Sequence, residues 1–239
     1  MIPSLIKPSP KQLKKVEKTA RLLSLELVTV FTLFWSSLAV FVLISKKIFW
    51  KRKEEFDKKV FERMQRLVSP GTTRWMETFS HLGSRNFLIQ ANLVLIGYFL
   101  FVQKHRWYSI KIPAVAISNT LSMLLLKEIF QRPRPLVPLV RSARGLSYPS
   151  GHAMMSFSFY GLLIFLVWKF VEDPQMKRFL IGILFLLILT IGFSRIYLRV
   201  HYTSDVVAGF SMGIICLVLS LWILRKIEKS VARRKLLAY

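Results

Sequence analysis

Residues 179–224 read FLIGILFLLILTIGFSRIYLRVHYTSDVVAGFSMGIICLVLSLWIL. Two long apolar runs, Phe179–Tyr197 and Ser204–Leu224, are joined by a short polar segment. A bilayer core about 30 Å thick is crossed by roughly 20 mostly apolar residues in α-helix, so each run reads as a membrane span. The same test finds four more blocks: Leu22–Ser45, Asn86–Gln103, Tyr108–Phe130 and Ala153–Val171. The expected fold is therefore an all-α integral membrane protein, with six transmembrane helices in a bundle.

Composition agrees. The 239 residues are 53% hydrophobic with glycine left out, whereas soluble domains reach about 45–50% only when it is counted. The mean hydropathy is +0.44. Aromatic richness (6 Trp, 7 Tyr, 19 Phe) excludes disorder, and the single cysteine, Cys216, excludes a disulfide scaffold. The net charge of +24 could belong to a nucleic-acid binder, but the charges lie between apolar blocks, where membrane headgroups explain them. No nucleic-acid partner is expected. Leu22–Ser45 is too long for a signal-peptide core and runs into Lys46 and Lys47, so it reads as a span.

Between the first and second spans, Phe49, Phe56, Val60, Met64 and Leu67 recur at helical spacing among Lys51, Lys53, Lys58, Lys59, Arg63 and Arg66. That pattern fits a basic amphipathic helix in the headgroup plane, within an interfacial segment covering 46–85. Pro70 and Gly71 end this helix, and Trp75, Phe79 and Leu82 mark a short second one. The six-helix domain covers 22–224, flanked by a basic N-terminal tail (1–21) and a basic C-terminal tail (225–239). Six spans put both termini on one side, but Lys and Arg divide 18 to 18, so the positive-inside rule does not choose that side. Glu26, Gln90, Asn92 and Asn119, inside the spans, are expected to hydrogen-bond between helices.

Polar residues concentrate in three places: Lys127–Pro135 at the end of the third span, Pro149–His152 before the fourth, and Ser194–Asp205 from the fifth into the sixth. Counting helices puts all three on one face of the membrane, opposite the termini. Together they bring Lys127, Arg134, Arg195, His152, His201 and Asp205 to one depth. Three cations in a small volume repel one another unless an anion sits among them. A phosphate suits them, and a planar guanidinium can hold two of its oxygens. Ser150 and Gly151 open the fourth helix, where backbone N–H groups are free to face an anion. Asp205 follows His201 by four residues, so it can fix the imidazole tautomer and leave the other nitrogen basic, able to attack phosphorus. His152 can then protonate the departing oxygen. With the cations stabilising charge, no metal and no other cofactor is required. His81 and His105 read as interfacial polar residues.

These three segments resemble the type-2 phosphatidic acid phosphatase superfamily, the lipid phosphate phosphatases. The family signature K-x6-R-P, P-S-G-H and S-R-x5-H-x3-D is matched in order and spacing by Lys127 to Arg134-Pro135, by Pro149 to His152, and by Ser194-Arg195, His201 and Asp205. The resemblance implies that His201 is the nucleophile forming a phosphohistidine, Asp205 its orienting partner and His152 the general acid. It implies that Lys127, Arg134, Ser150, Gly151 and Arg195 hold the phosphoryl oxygens, with Ser194 in support, and that no metal is used. Bacterial members of this size face their active site outward, which implies a cell-membrane protein with cytoplasmic termini. The expected substrate is a membrane lipid phosphate or diphosphate of the phosphatidylglycerophosphate, phosphatidate, undecaprenyl diphosphate or lipid A class, reaching the site from the bilayer.

Alternatives remain at this level. A phosphohistidine could pass its phosphate to a lipid or sugar acceptor, making a phosphotransferase. A catalytically silent lipid-phosphate binder or transporter is the non-enzyme reading, although both His201 and Asp205 are retained. Vanadate-dependent haloperoxidases share the signature but are soluble. A serine hydrolase built on Ser150 would leave the cations unexplained, and Pro-Ser-Gly-His lacks the G-x-S-x-G elbow.

Overall fold

A computed structural model describes residues 10–50, 55–135, 137–140 and 145–237, with side chains described from 27 to 234 within those ranges. The described residues form α-helices, two short π-turns and loops. Residues 1–9 of the basic N-terminal tail, the side chain of Glu26, and Lys51 and Lys53 lie outside the description. The helices are α1 (Pro10–Ser45), α2 (Glu55–Gln65), α3 (Pro70–Leu82), α4 (Arg85–Gly97), α5 (Arg106–Phe130), α6 (Gly151–Phe170), α7 (Pro174–Tyr197) and α8 (Thr203–Leu237). Six segments are long and apolar enough to cross a membrane: 27–50, 85–102, 106–130, 151–170, 174–197 and 203–234. The chain is a multi-pass membrane protein, as the apolar blocks foretold.

Local chemistry sets the helix starts. Ser69 caps α3 through a reciprocal capping box with Thr72, and Pro70 occupies the first turn, where its missing N–H costs nothing. Pro70 thus opens a helix as well as closing the preceding pattern. Ser84, Ser150 and Asp173 cap α4, α6 and α7 with side-chain oxygens.

At the centre, α6 packs on α5, α7 and α8, while α1 leans on α8 from outside. Gly209 and Gly213 let α8 approach α6 closely. A Cβ at Gly209 would meet the Ser150 carbonyl oxygen at 2.7 Å, and one at Gly213 would meet the Met154 oxygen at 2.8 Å. This approach brings two of the polar segments together, since Ser150 N donates to the Asp205 carbonyl oxygen at 3.0 Å. Gly209→Leu is therefore expected to cost about 1–3 kcal/mol of stability by overpacking, visible as a lower Tm in detergent, and to lower turnover as α8 moves off α6.

Two expectations gain detail and one needs revision. The basic helix expected between the first two spans is present as α2, and it also packs on protein: Val60, Phe61 and Met64 meet a cluster of Ala153, Ile196 and Val206, while Phe56 and Leu67 stay exposed. The stretch after 224 remains helical to Leu237, because Lys111 and Glu228 pair at 2.5 Å and Lys226 lies 3.7 Å over the Trp222 ring. The spans are stitched by residues other than those expected. Ser118 meets Ser220 at 2.9 Å, Ser158 donates to the Gly213 oxygen at 3.2 Å, and Tyr160 donates to the Leu82 oxygen at 2.9 Å. Asn92 bonds its own helix at the Leu88 oxygen, Gln90 is exposed, and Asn119 Oδ1 has no partner among the described residues. The reason is geometric: hydroxyl groups are short enough to bridge closely packed helices, whereas Asn92 reaches its own preceding turn more easily.

Candidate active site

The three polar segments converge at the ends of α5, α6 and α7 and the start of α8. The connection after α5 folds back on itself, with Ser147 N donating to the Arg132 oxygen at 2.8 Å and Ser147 Oγ to the Pro133 oxygen at 2.9 Å. That fold brings Lys127 Nζ within 2.6 Å of the Leu146 oxygen and Arg134 Nε within 3.0 Å of the Gly145 oxygen. Arg134 Nη1 then donates to the Val200 oxygen at 2.8 Å and stands 3.3 Å from His201 Nε2.

This last contact fixes the imidazole. Guanidinium has only donors, so Nε2 is the acceptor, and in a neutral ring the proton sits on Nδ1. Nδ1 lies 3.5 Å from Asp205 Oδ2, within ion-pair range but not hydrogen-bonded. His201 is 1% exposed and Asp205 fully buried. Burial, followed by the fields of Arg134, Arg195 and Lys127, holds the His201 pKa well below its ordinary value. The ring is therefore neutral at neutral pH, with the Nε2 lone pair turned toward Arg134.

Arg195, on the last turn of α7, is buried and donates to Ser80 Oγ of α3. Its neighbour Ser194 turns back to the Ile191 oxygen at 2.7 Å, a role within the helix. His152 occupies the first turn of α6, within the electrostatic reach of Arg195, His201, Arg134 and Lys127. Gly83 leaves it room: a Cβ there would stand 3.5 Å from His152 Cδ2 and 2.5 Å from Ile191 Cγ2. Gly151 lies against Met123, whose Sδ a Cβ would meet at 2.6 Å. Ser150 is less free than its position implied. Its Oγ accepts from Ala153 N and its own N–H is taken by the Asp205 carbonyl.

Two residues that the signature does not specify complete the cluster: Arg132, inside the first motif, and Asp57, outside all three. Arg132 Nη1 donates to Asp205 Oδ1 at 2.6 Å, and Nη2 to Asp57 Oδ2 at 3.1 Å. Burial works against the Arg132 charge, but the Asp205 and Asp57 carboxylates outweigh it and raise its pKa. The motif spacing gave no pointer to Arg132, which sits two residues before Arg134. Asp57 did carry a signal: it shares the helical face of Val60, Phe61 and Met64, an acid on the apolar side of a basic helix.

Beneath His152, a cavity of about 170 Å3 lies between α4, α5 and α6, lined by Arg85, Leu88, Asn119, Met155 and Phe159 among others. Ile89, 48% exposed, stands at its bilayer-facing side.

Comparison with known proteins follows the same residues. The PAP2 superfamily profile matches residues 109–229. Phosphatidylglycerophosphatase B of Bacillus subtilis is 28% identical over 180 residues, covering 73% of this chain and 86% of its own length. The crystal structure of a transmembrane PAP2-type phosphatidylglycerolphosphate phosphatase from Bacillus subtilis superposes with a TM-score of 0.73 at 26% identity, covering 80% of this chain and 96% of that one. The crystal structure of LpxE from Aquifex aeolicus superposes with a TM-score of 0.55 at 28% identity, covering 68% and 93%.

Proposed function

The chain belongs to the PAP2 superfamily and is an integral membrane lipid phosphatase, and from that premise we propose that it removes the terminal phosphate of a lipid phosphate through a phosphohistidine on His201. The observation that carries this reading is the Arg134–His201 contact, which leaves Nε2 unprotonated at the centre of three cations. Lys127, Arg134 and Arg195 would receive the phosphoryl oxygens, with the first turn of α6 at Ser150 and Gly151 beside them. As the phosphate enters, Arg134 exchanges Nε2 for a phosphoryl oxygen and the lone pair faces phosphorus.

Nε2 then bonds to phosphorus while the phosphorus–oxygen bond to the lipid breaks. His152 gives its proton to the departing alcohol, and Asp205 stabilises the charge that appears on the His201 ring. In the second half, His152 takes a proton from water, whose oxygen attacks phosphorus. The phosphorus–nitrogen bond breaks, and inorganic phosphate leaves with both imidazoles restored. The cations supply the charge stabilisation that a metal supplies in other phosphatases.

The cavity beneath His152 supports access from the bilayer: it begins one helical turn below the general acid and faces lipid between α4 and α5. Two of the relatives matched over most of their length, both from Bacillus subtilis, are named for phosphatidylglycerophosphate, which makes that lipid the first substrate to test. In the proposed orientation the termini are cytoplasmic in the cell membrane. The site then faces outward, and the tails at 1–21 and 225–239 meet the anionic inner leaflet.

The test is phosphate release by the detergent-purified chain, with EDTA present, from phosphatidylglycerophosphate, phosphatidate, undecaprenyl diphosphate and lipid A. Release from at least one of them, fastest from phosphatidylglycerophosphate, is expected. Release that EDTA abolishes contradicts the histidine mechanism.

A further inference from the structure

On the phosphohistidine reading of His201, we propose that Asp57 is a positioning residue of the reaction, through which the interfacial helix α2 sets the carboxylate partner of the nucleophile. Asp57 is 2% exposed and Arg132 4%, so both charges are out of water and depend on each other. Asp57 also caps α8 from another helix: Ser204 N donates to Oδ1 at 3.0 Å and Ser204 Oγ to Oδ2 at 2.5 Å. A first-turn N–H has no partner within its own helix, and here α2 provides one. The next residue, Asp205, accepts from Tyr202 N at 2.9 Å, closing the same turn from within.

Arg132 spans the two carboxylates, with Nη1 on Asp205 Oδ1 and on Ser204 Oγ at 2.8 Å, and Nη2 on Asp57. It lies 3.9 Å over the Tyr202 ring, and that ring meets Phe61 of α2 at 5.5 Å. An unbroken set of contacts therefore runs from α2 through Arg132 to Asp205, whose second oxygen faces His201 at 3.5 Å. Without Asp57, Arg132 loses its tie to α2 and shifts toward Asp205, drawing that carboxylate from the imidazole, while the turn that carries Asp205 loses its cap. The outer face of α2 carries the exposed Lys58, Lys59 and Arg63, while Asp57 on the same helix is buried against Arg132 and Ser204.

A double-mutant cycle tests this on the full chain in Triton mixed micelles, with dioctanoyl phosphatidate as substrate and vanadate as a phosphate-like inhibitor. A displacement of about 1 Å at a catalytic group can cost roughly 100-fold, so Asp57→Asn is expected to lower kcat about 10- to 100-fold. KM and vanadate inhibition should stay near wild type, because the three cations are untouched. Asp57→Glu should recover part of the loss. In an Arg132→Gln background, Asp57→Asn should lower kcat no further, since residues acting through one another do not add.

Wild-type kcat in Asp57→Asn overturns the inference. So does an equal loss in both backgrounds, or a loss of vanadate inhibition in step with kcat, either of which marks a purely structural role. A wild-type chain that releases no phosphate from dioctanoyl phosphatidate or from any lipid of the four-substrate panel overturns the phosphohistidine reading and this inference with it, whereas wild-type turnover beside an unaffected Asp57→Asn overturns the inference alone.

Discussion

His201→Ala is expected to lower phosphate release roughly 10⁴- to 10⁶-fold, the scale on which removal of a nucleophile acts in enzymes that form covalent intermediates. The variant should still bind vanadate or inorganic phosphate. Arg134 keeps its bonds to the Val200 and Gly145 oxygens, Lys127 keeps its bond to the Leu146 oxygen, and Arg195 stays anchored to Ser80. Anion protection of Tm measures that binding without turnover. His201→Gln is a useful companion, because the site is nearly closed to solvent and the smaller alanine leaves a cavity. A variant that keeps a tenth of wild-type turnover would remove His201 from the chemistry.

His152→Ala is expected to lower turnover of a lipid phosphate about 10²- to 10⁴-fold, the usual contribution of a positioned acid. The leaving group identifies the cause. A lipid alkoxide is a poor leaving group and needs its proton, whereas p-nitrophenolate departs unassisted. The same variant should therefore lose only a few-fold in the phosphorylation step with p-nitrophenyl phosphate, and its pre-steady-state burst of p-nitrophenol should persist while the second half-reaction slows. Equal losses for both substrates would assign His152 to phosphate binding. Its nearness to Gly83, at the α3–α4 junction, also predicts that Gly83→Ala disturbs it, since a Cβ there meets Ile191 at 2.5 Å.

The sequence carried the bundle and the convergence of motifs for one physical reason: both are written in residue type along the chain. Six apolar blocks of spanning length leave few alternatives, and helix parity places Lys127, His152 and His201 on one face before any coordinates exist. What was not legible depends on contacts between distant segments. The spacing of His201 and Asp205 implied a simple pair, yet Asp205 accepts from Arg132 and the Tyr202 N–H and stands 3.5 Å from the imidazole without a hydrogen bond to it. Arg132 could be read as one more loop charge beside Arg134, because its partners lie 75 residues upstream and 73 downstream.

The basic segment after the first span shows the same limit. Its amphipathic period was plain, but the period does not say whether the apolar face meets lipid or protein. In α2 its Val60, Phe61 and Met64 meet protein while Phe56 stays exposed, and the buried Asp57 marks the protein-facing side. The helix beyond residue 224 is also a matter of tertiary contact, since Lys111 pairs with Glu228 across more than a hundred residues. Ser150 illustrates a subtler case. A capped helix start at Ser150 was legible, but the closeness of α8 that occupies the Ser150 N–H follows from Gly209, two helices later.

The central claim is a covalent bond between phosphorus and His201, and the most direct measurement is to trap it. The full chain in detergent with EDTA would be mixed with a lipid phosphate labelled with ³²P in its terminal group, quenched in base within milliseconds, and mapped by proteolysis. The account predicts a label that is stable to base, lost in mild acid, confined to the peptide containing His201, and missing from His201→Ala. A label stable to acid on a serine peptide, or turnover with no labelled protein at any quench time, would contradict it.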